Sequence, residues 1–129
     1  MKTILLAKDD PFIVGIYADK FRKECFKIDI AKDSQMALEK IKNNYPDLLL
    51  LDIKWPKEDK GLPLENEGWE ILKIIRRDPK TQNLKVIVLS NDNSEYNVHN
   101  ITNFGVIKYF LKVESNPDEI LSTIKGILK

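Results

Sequence analysis

The chain has 129 residues, of which 43% are hydrophobic and 32% charged, with a formal net charge of +1. That is one domain's worth of an ordinary soluble chain, and a charge so near zero argues against broad electrostatic binding to nucleic acid or membrane. The N-terminal apolar run is too short for a signal peptide, no stretch is long enough to span a bilayer, and a single cysteine cannot close an internal disulfide, so a cytoplasmic protein is expected.

Short apolar runs alternate with amphipathic stretches along the chain. Ile4–Ala7 is a run that stops at Lys8, Asp9 and Asp10. Asp10 can cap a helix with Pro11 in its first turn, where a missing N–H costs nothing. Val14, Ala18, Phe21 and Cys25 then share one helical face, so Cys25 is expected to be a buried, reduced thiol within the helix. "KIDIA" (27–31) is a short strand, and Asp33 or Ser34 can start a second helix with Ala37, Leu38 and Ile41 inward. "DLLLLDI" (47–53) is the strongest strand signal, because an unbroken apolar run suits burial on both faces of a parallel sheet.

"GWEILKIIRR" predicts a third helix with Ile71, Leu72 and Ile75 on one side, ended by Asp78-Pro79. Its closing Arg76-Arg77 pair suits the helix dipole. "KVIVLS" (85–90) reads as another doubly buried strand. "SEYNVHNITNF" (94–104) is a poor helix, rich in Asn and β-branched residues, and its lone His99 has neither metal-ligand spacing nor a nucleophile around it. "VIKYFL" (106–111) is a fifth strand. The last helix has Asn116 as cap, Pro117 first and Glu119 three residues after the cap, with Ile120, Leu121, Ile124, Ile127 and Leu128 as its stripe.

Five successive strand–helix units argue for one doubly wound parallel sheet over 1–129, with helices on both faces. Right-handed crossovers place all five strand C-termini on one rim, where ligands bind in such sheets. On that rim stand Lys8, Asp9 and Asp10 after strand one, Asp52 after strand three, Ser90 and Asn91 after strand four, and Lys112 after strand five. Strand ends are often polar because they meet solvent. Four polar ends together, with Asp52 directly after Leu48–Leu51, instead suggest a site. Two facing carboxylates suit a hard cation with oxygen ligands, Mg²⁺ above all.

These residues resemble the receiver domains of two-component response regulators over nearly the whole chain. "ILLAKDDPF" is similar to the family's strand-one acidic motif and "PDLLLLDIKWP" to its phosphoacceptor segment. "VIVLSN" matches its strand-four Ser/Thr, and "GVIKYFLK" has the Gly, aromatic and Lys spacing that precedes its last helix. The resemblance implies the flavodoxin-like strand order 2-1-3-4-5. It implies that Asp52 accepts a phosphoryl group from a sensor histidine kinase or histidine phosphotransfer protein. Asp9, Asp52 and the backbone carbonyl of Lys54 would hold Mg²⁺, with Asp10 a further candidate. Lys112 and the Ser90 hydroxyl would meet phosphoryl oxygens, and Ser90 and Tyr109 would form the switch pair. It implies a signalling module rather than an enzyme with a separate substrate, one that promotes its own phosphoryl transfer and dephosphorylation. The chemistry suits the residue types, because charge on the equatorial oxygens must be met by a cation, an ammonium and a hydroxyl.

Several positions depart from the family. Lys8 stands where an acid usually reaches the metal through water. An ammonium about 5 Å from Mg²⁺ would be repelled by several kcal/mol at an effective dielectric near 20, less if it reaches into water. Either Lys8 points away and metal binding is weakened, or it bridges Asp9 and Asp52 in place of the cation. The family's Lys-Pro is Lys112-Val113 here, so that bond is expected to be trans. The loop at 57–67 is longer than usual, and is either a tolerated insertion or a lid anchored by Trp55 and Leu62-Pro63-Leu64. A Lys54–Asp92 pair across the site would hinder water and prolong the phosphorylated state.

The expectation is thus a stand-alone phosphorylatable receiver whose output runs through protein contacts on the 94–128 face, without direct contact to nucleic acid or membrane. Weak helical propensity at 94–104 suits a segment with two states. The alternative is a pseudo-receiver, a protein-binding module that Lys8 and Val113 keep unphosphorylated. An aspartate-nucleophile phosphatase would need a second acid where Lys54 stands. A dinucleotide-binding site would need a Gly-rich loop after strand one, which is absent.

Overall fold

A computed structural model of the chain describes residues 1–7, 11–52, 67–90, 103–111 and 116–128. Among them are β1 (Thr3–Ala7), α1 (Pro11–Lys23), β2 (Lys27–Ala31), α2 (Ser34–Asn44), β3 (Leu48–Asp52), α3 (Glu67–Arg77), β4 (Val86–Ser90), β5 (Lys108–Leu111) and α4 (Pro117–Ile127). Several expected features lie outside the described residues: Lys8, Asp9, Asp10, Lys54, Trp55, Leu62-Pro63-Leu64, Asn91, Asp92, the 94–104 segment as far as 102 with His99, and Lys112 with Val113.

All strand pairs are parallel, in the order β2-β1-β3-β4-β5. The order follows from burial. Leu48–Leu51 are at most 1% exposed and Val86–Leu89 are fully buried, so β3 and β4 need covered faces on both sides. Side chains alternate between the faces. Leu48 and Leu50 pack with Val14, Tyr17 and Phe21 of α1 and Ile120 and Ile124 of α4. Leu49 and Leu51 pack with Ala37 and Ile41 of α2 and Ile71, Leu72 and Ile75 of α3. Each fully buried leucine contributes roughly 1.5–3 kcal/mol relative to exposure, so β3, like β4, is firmly held. Its start is pinned by a reciprocal pair: the Thr3 N–H donates to the Asp47 carboxylate at 2.7 Å, and the Asp47 N–H donates to the Thr3 carbonyl at 2.9 Å.

Helix caps follow the sequence. The Asp33 carboxylate accepts from the Met36 N–H at 2.8 Å, which decides between Asp33 and Ser34 as the cap of α2. Asn116 accepts from the Glu119 N–H at 2.8 Å, with Pro117 at the first position of α4. Strand β5 begins at Lys108 rather than 106, although the Ile107 N–H already donates to the Val86 carbonyl at 2.9 Å.

Cys25 corrects the sequence reading. It is exposed and lies beyond the end of α1 with a φ of +68°. The Phe26 N–H donates back to the Phe21 carbonyl at 3.2 Å and the Cys25 N–H to the Arg22 carbonyl at 3.0 Å. This is the Schellman arrangement, with Cys25 in the left-handed position usually taken by glycine. Phe26, packed edge-on against Phe21 with ring centroids 6.4 Å apart, supplies the apolar contact that closes it. Helical periodicity counts position 25 as inward, but the chain has already turned.

Arg76 does more than complement a helix dipole. Its guanidinium donates to the carbonyls of Phe104 at 2.5 Å, Gln82 at 2.9 Å, Leu84 at 2.8 Å and Gly105 at 3.3 Å. It ties the end of α3 to the turns that enter β4 and β5. Burial pushes this guanidinium below its ordinary value, and nearby Tyr45 acts the other way. Gly105 has a φ of +75°, a conformation open to glycine at no steric cost.

Replacing Cys25 by glycine removes a left-handed penalty of about 1 kcal/mol. We expect Cys25→Gly to raise the urea midpoint by a corresponding amount without changing the slope; a lower midpoint would show that the thiol itself supports the turn.

Candidate functional site

The rim is levelled by strand register. Ala7, the residue before Lys8, pairs with Leu51, the residue before Asp52. Asp52 pairs with Leu89, and Ser90 with Leu111, the residue before Lys112. Of the expected site residues, the structure therefore places Asp52 and the Ser90 backbone on adjacent strand ends. Asp9, Asp10, Lys54 and Lys112 lie outside the described residues.

Asp52 is the one charged residue among the described buried positions, at 7% exposure, and its Oδ1 is shielded from solvent. A buried carboxylate is costly unless its surroundings compensate it. Four buried leucines deliver it there, so its position is set by the strand rather than by a loop. Strand alternation puts Asp52 on the face of Leu48 and Leu50, toward α1 and α4.

Tyr109 pairs with Val88 in register and is half-buried against the opposite cluster, the one that includes the inward faces of α2 and α3. It thus lies two positions before Leu111, the residue level with Ser90. No set of three or more His, Cys, Asp or Glu side chains that could hold a metal forms among the described residues. A cleft of about 320 Å³, lined by Ile41, Lys42, Tyr45, Asp78, Lys80 and Thr81, lies at the C-terminal ends of α2 and α3, whereas Asp52 stands at the strand C-termini.

Sequence reasoning missed Tyr17. It is 6% exposed within the α1 face of the core. Burial pushes its phenol above the ordinary value, and the Asp52 charge adds to that rise. The signal was present: position 17 falls three after Val14 and four before Phe21, so a phenol was bound to face the sheet.

A doubly wound parallel sheet with a buried aspartate at the end of its central strand defines a class of α/β proteins whose chemistry is at the strand C-termini. The response regulator receiver domain model matches residues 4–125, and the chain belongs to that family of two-component signalling domains. It is similar to the transcriptional regulatory protein CpxR of Escherichia coli K12, with 30% identity over all of this chain and 50% of that protein. It is also similar to the alkaline phosphatase synthesis transcriptional regulatory protein PhoP of Bacillus subtilis, with 27% identity over 99% of this chain and 49% of that one. The chain spans about half the length of these curated relatives. Among solved structures, a CheY-like receiver domain protein from Methanospirillum hungatei superposes with a TM-score of 0.82 at 29% identity, covering 99% of this chain and 94% of that one. No helix among the described residues is long and apolar enough to cross a membrane.

The raised Tyr17 value gives a pH dependence with a definite sign. The folded state holds this phenol protonated beyond the ordinary value of 10.0 that the unfolded chain shows. The stability it contributes is complete below about pH 10 and falls as pH rises through the folded-state value. Urea unfolding between about pH 9 and 11 should therefore show a steeper loss for the wild type than for Tyr17→Phe; parallel curves would contradict the burial argument.

Proposed function

We propose that this chain is a phosphoacceptor receiver, modified on Asp52 by a sensor histidine kinase or histidine phosphotransfer protein. The observation that carries the reading is the buried carboxylate at the end of a strand buried on both faces, in the 2-1-3-4-5 order. An oxygen of Asp52 attacks phosphorus of the donor's phosphohistidine. A P–O bond forms as the P–N bond breaks, and the electron pair stays with the imidazole nitrogen. The Lys112 ammonium and the Ser90 hydroxyl meet charge that develops on the equatorial oxygens.

The hard oxygen donors Asp52, Asp9 and the Lys54 carbonyl suit Mg²⁺, and a buried aspartate fits a bound cation as its counter-charge. Bound there, Mg²⁺ supplies neutralisation of the negative phosphoryl oxygens. Lys8 weakens that binding without abolishing it. Asp10 is the candidate to compensate, although it also stands where it can cap α1.

Output runs through protein contacts on the 94–128 face, where Ser90 and Tyr109 report the phosphorylation state. The Lys54–Asp92 pair slows water attack and prolongs that state. The protein acts in the cytoplasm. A second reading, a pseudo-receiver that docks proteins without modification, is favoured by Lys8 and Val113.

The two readings separate on incubation with acetyl phosphate and Mg²⁺, followed by intact mass. The phosphoacceptor reading expects a gain of one phosphoryl group in the wild type and none in Asp52→Asn; no gain in a folded wild type leaves the pseudo-receiver. In the same protein, Lys8→Asp is expected to tighten Mg²⁺ binding roughly tenfold by calorimetry, since it replaces a like charge by an opposite one. Unchanged affinity would place the ammonium away from the ion.

A further inference from the structure

The Asp52 carboxylate has a neighbour that the family's site roles do not account for. Leu48 and Leu50 share one packed cluster with Tyr17, and alternation along β3 continues that face to Asp52. Leu89, the register partner of Asp52, belongs to the same cluster. Both side chains are under a tenth exposed. We propose that Tyr17 is a positioning residue for Asp52: its phenol forms the α1-side wall of the carboxylate's pocket and sets the orientation from which the carboxylate attacks phosphorus. This rests on the phosphoacceptor reading above.

Three arguments support the assignment. The Asp52 backbone is already fixed, because its strand is paired on both sides. Only the two side-chain torsions remain to be set, and the groups walling the pocket set them. Second, alternation along β3 carries Asp52 onto the face of Leu48 and Leu50, and its register partner Leu89 belongs to the same cluster as Tyr17, so the ring and the carboxylate lie on one side of the sheet. Third, burying a hydroxyl among Val14, Phe21, Leu50 and Leu89 costs free energy unless polar surroundings compensate it. A phenylalanine would fill the same space without that cost. Tyrosine at this packed position thus places a polar group on the carboxylate's own face of the sheet.

Two variants split the ring from the hydroxyl in the full chain. Tyr17→Phe keeps the ring, and Tyr17→Leu removes both. Phosphorylation by acetyl phosphate with Mg²⁺ gives a maximal rate and a half-saturating donor concentration, and urea unfolding gives stability. The proposal expects Tyr17→Phe to lower the maximal rate roughly three- to tenfold, with half-saturation and stability retained. Tyr17→Leu should lose rate and stability together. In magnesium-free protein, the Asp52 carboxyl carbon resonance should shift in Tyr17→Phe, while those of Asp29 and Asp47 stay in place. A Tyr17→Phe variant with wild-type rate and an unmoved Asp52 resonance would reduce Tyr17 to a packing residue and overturn the proposal; so would a change confined to half-saturation, which would assign the hydroxyl to the donor. A wild type that accepts no phosphoryl group would instead bring down the phosphoacceptor reading itself, a failure visible before any variant is compared.

Discussion

Burial of β3 on both faces is the constraint on which the rest of the structure depends. Leu48, Leu49, Leu50 and Leu51 send alternate side chains into two separate cores, one beneath α1 and α4, the other beneath α2 and α3. The strand cannot slip by one residue without exchanging those faces. Because β3 is fixed so tightly, the residue that ends it is fixed too. Asp52 is thus delivered to the rim by the packing and the two-sided pairing of its own strand.

Much of this was legible in the chain because the signals are local and strong. Unbroken apolar runs mark β3 and β4, and Asp33 and Asn116 cap helices through their own side chains. The errors lie where local patterns meet non-local geometry. Cys25 continues a helical stripe by count, but the Schellman turn intervenes, and only the backbone shows it. Arg76 reads as a charge at a helix end. Its four carbonyl acceptors come from turns six to 29 residues away, which no spacing reveals. Tyr17 hid for the opposite reason, since an aromatic ring in an apolar stripe passes for core and its hydroxyl draws no attention.

The departures from the family at Lys8, Val113 and the 57–66 loop lie outside the described residues, whereas the described strands keep the family order and pack on two hydrophobic clusters. The relatives CpxR and PhoP are about twice as long and are named as transcriptional regulators, whereas the receiver domain model accounts for residues 4–125 of this chain. What the chain shares with them is the receiver fold, whose packing fixes the strand that ends in Asp52.

The most direct measurement is reductive trapping of the modified residue. After exposure to a phosphodonor and Mg²⁺, borohydride converts an aspartyl phosphate to homoserine, and peptide sequencing locates it. The account predicts conversion at position 52 and at no other acid. Conversion at Asp9 or Asp10, or a folded protein left without any converted residue, would contradict it.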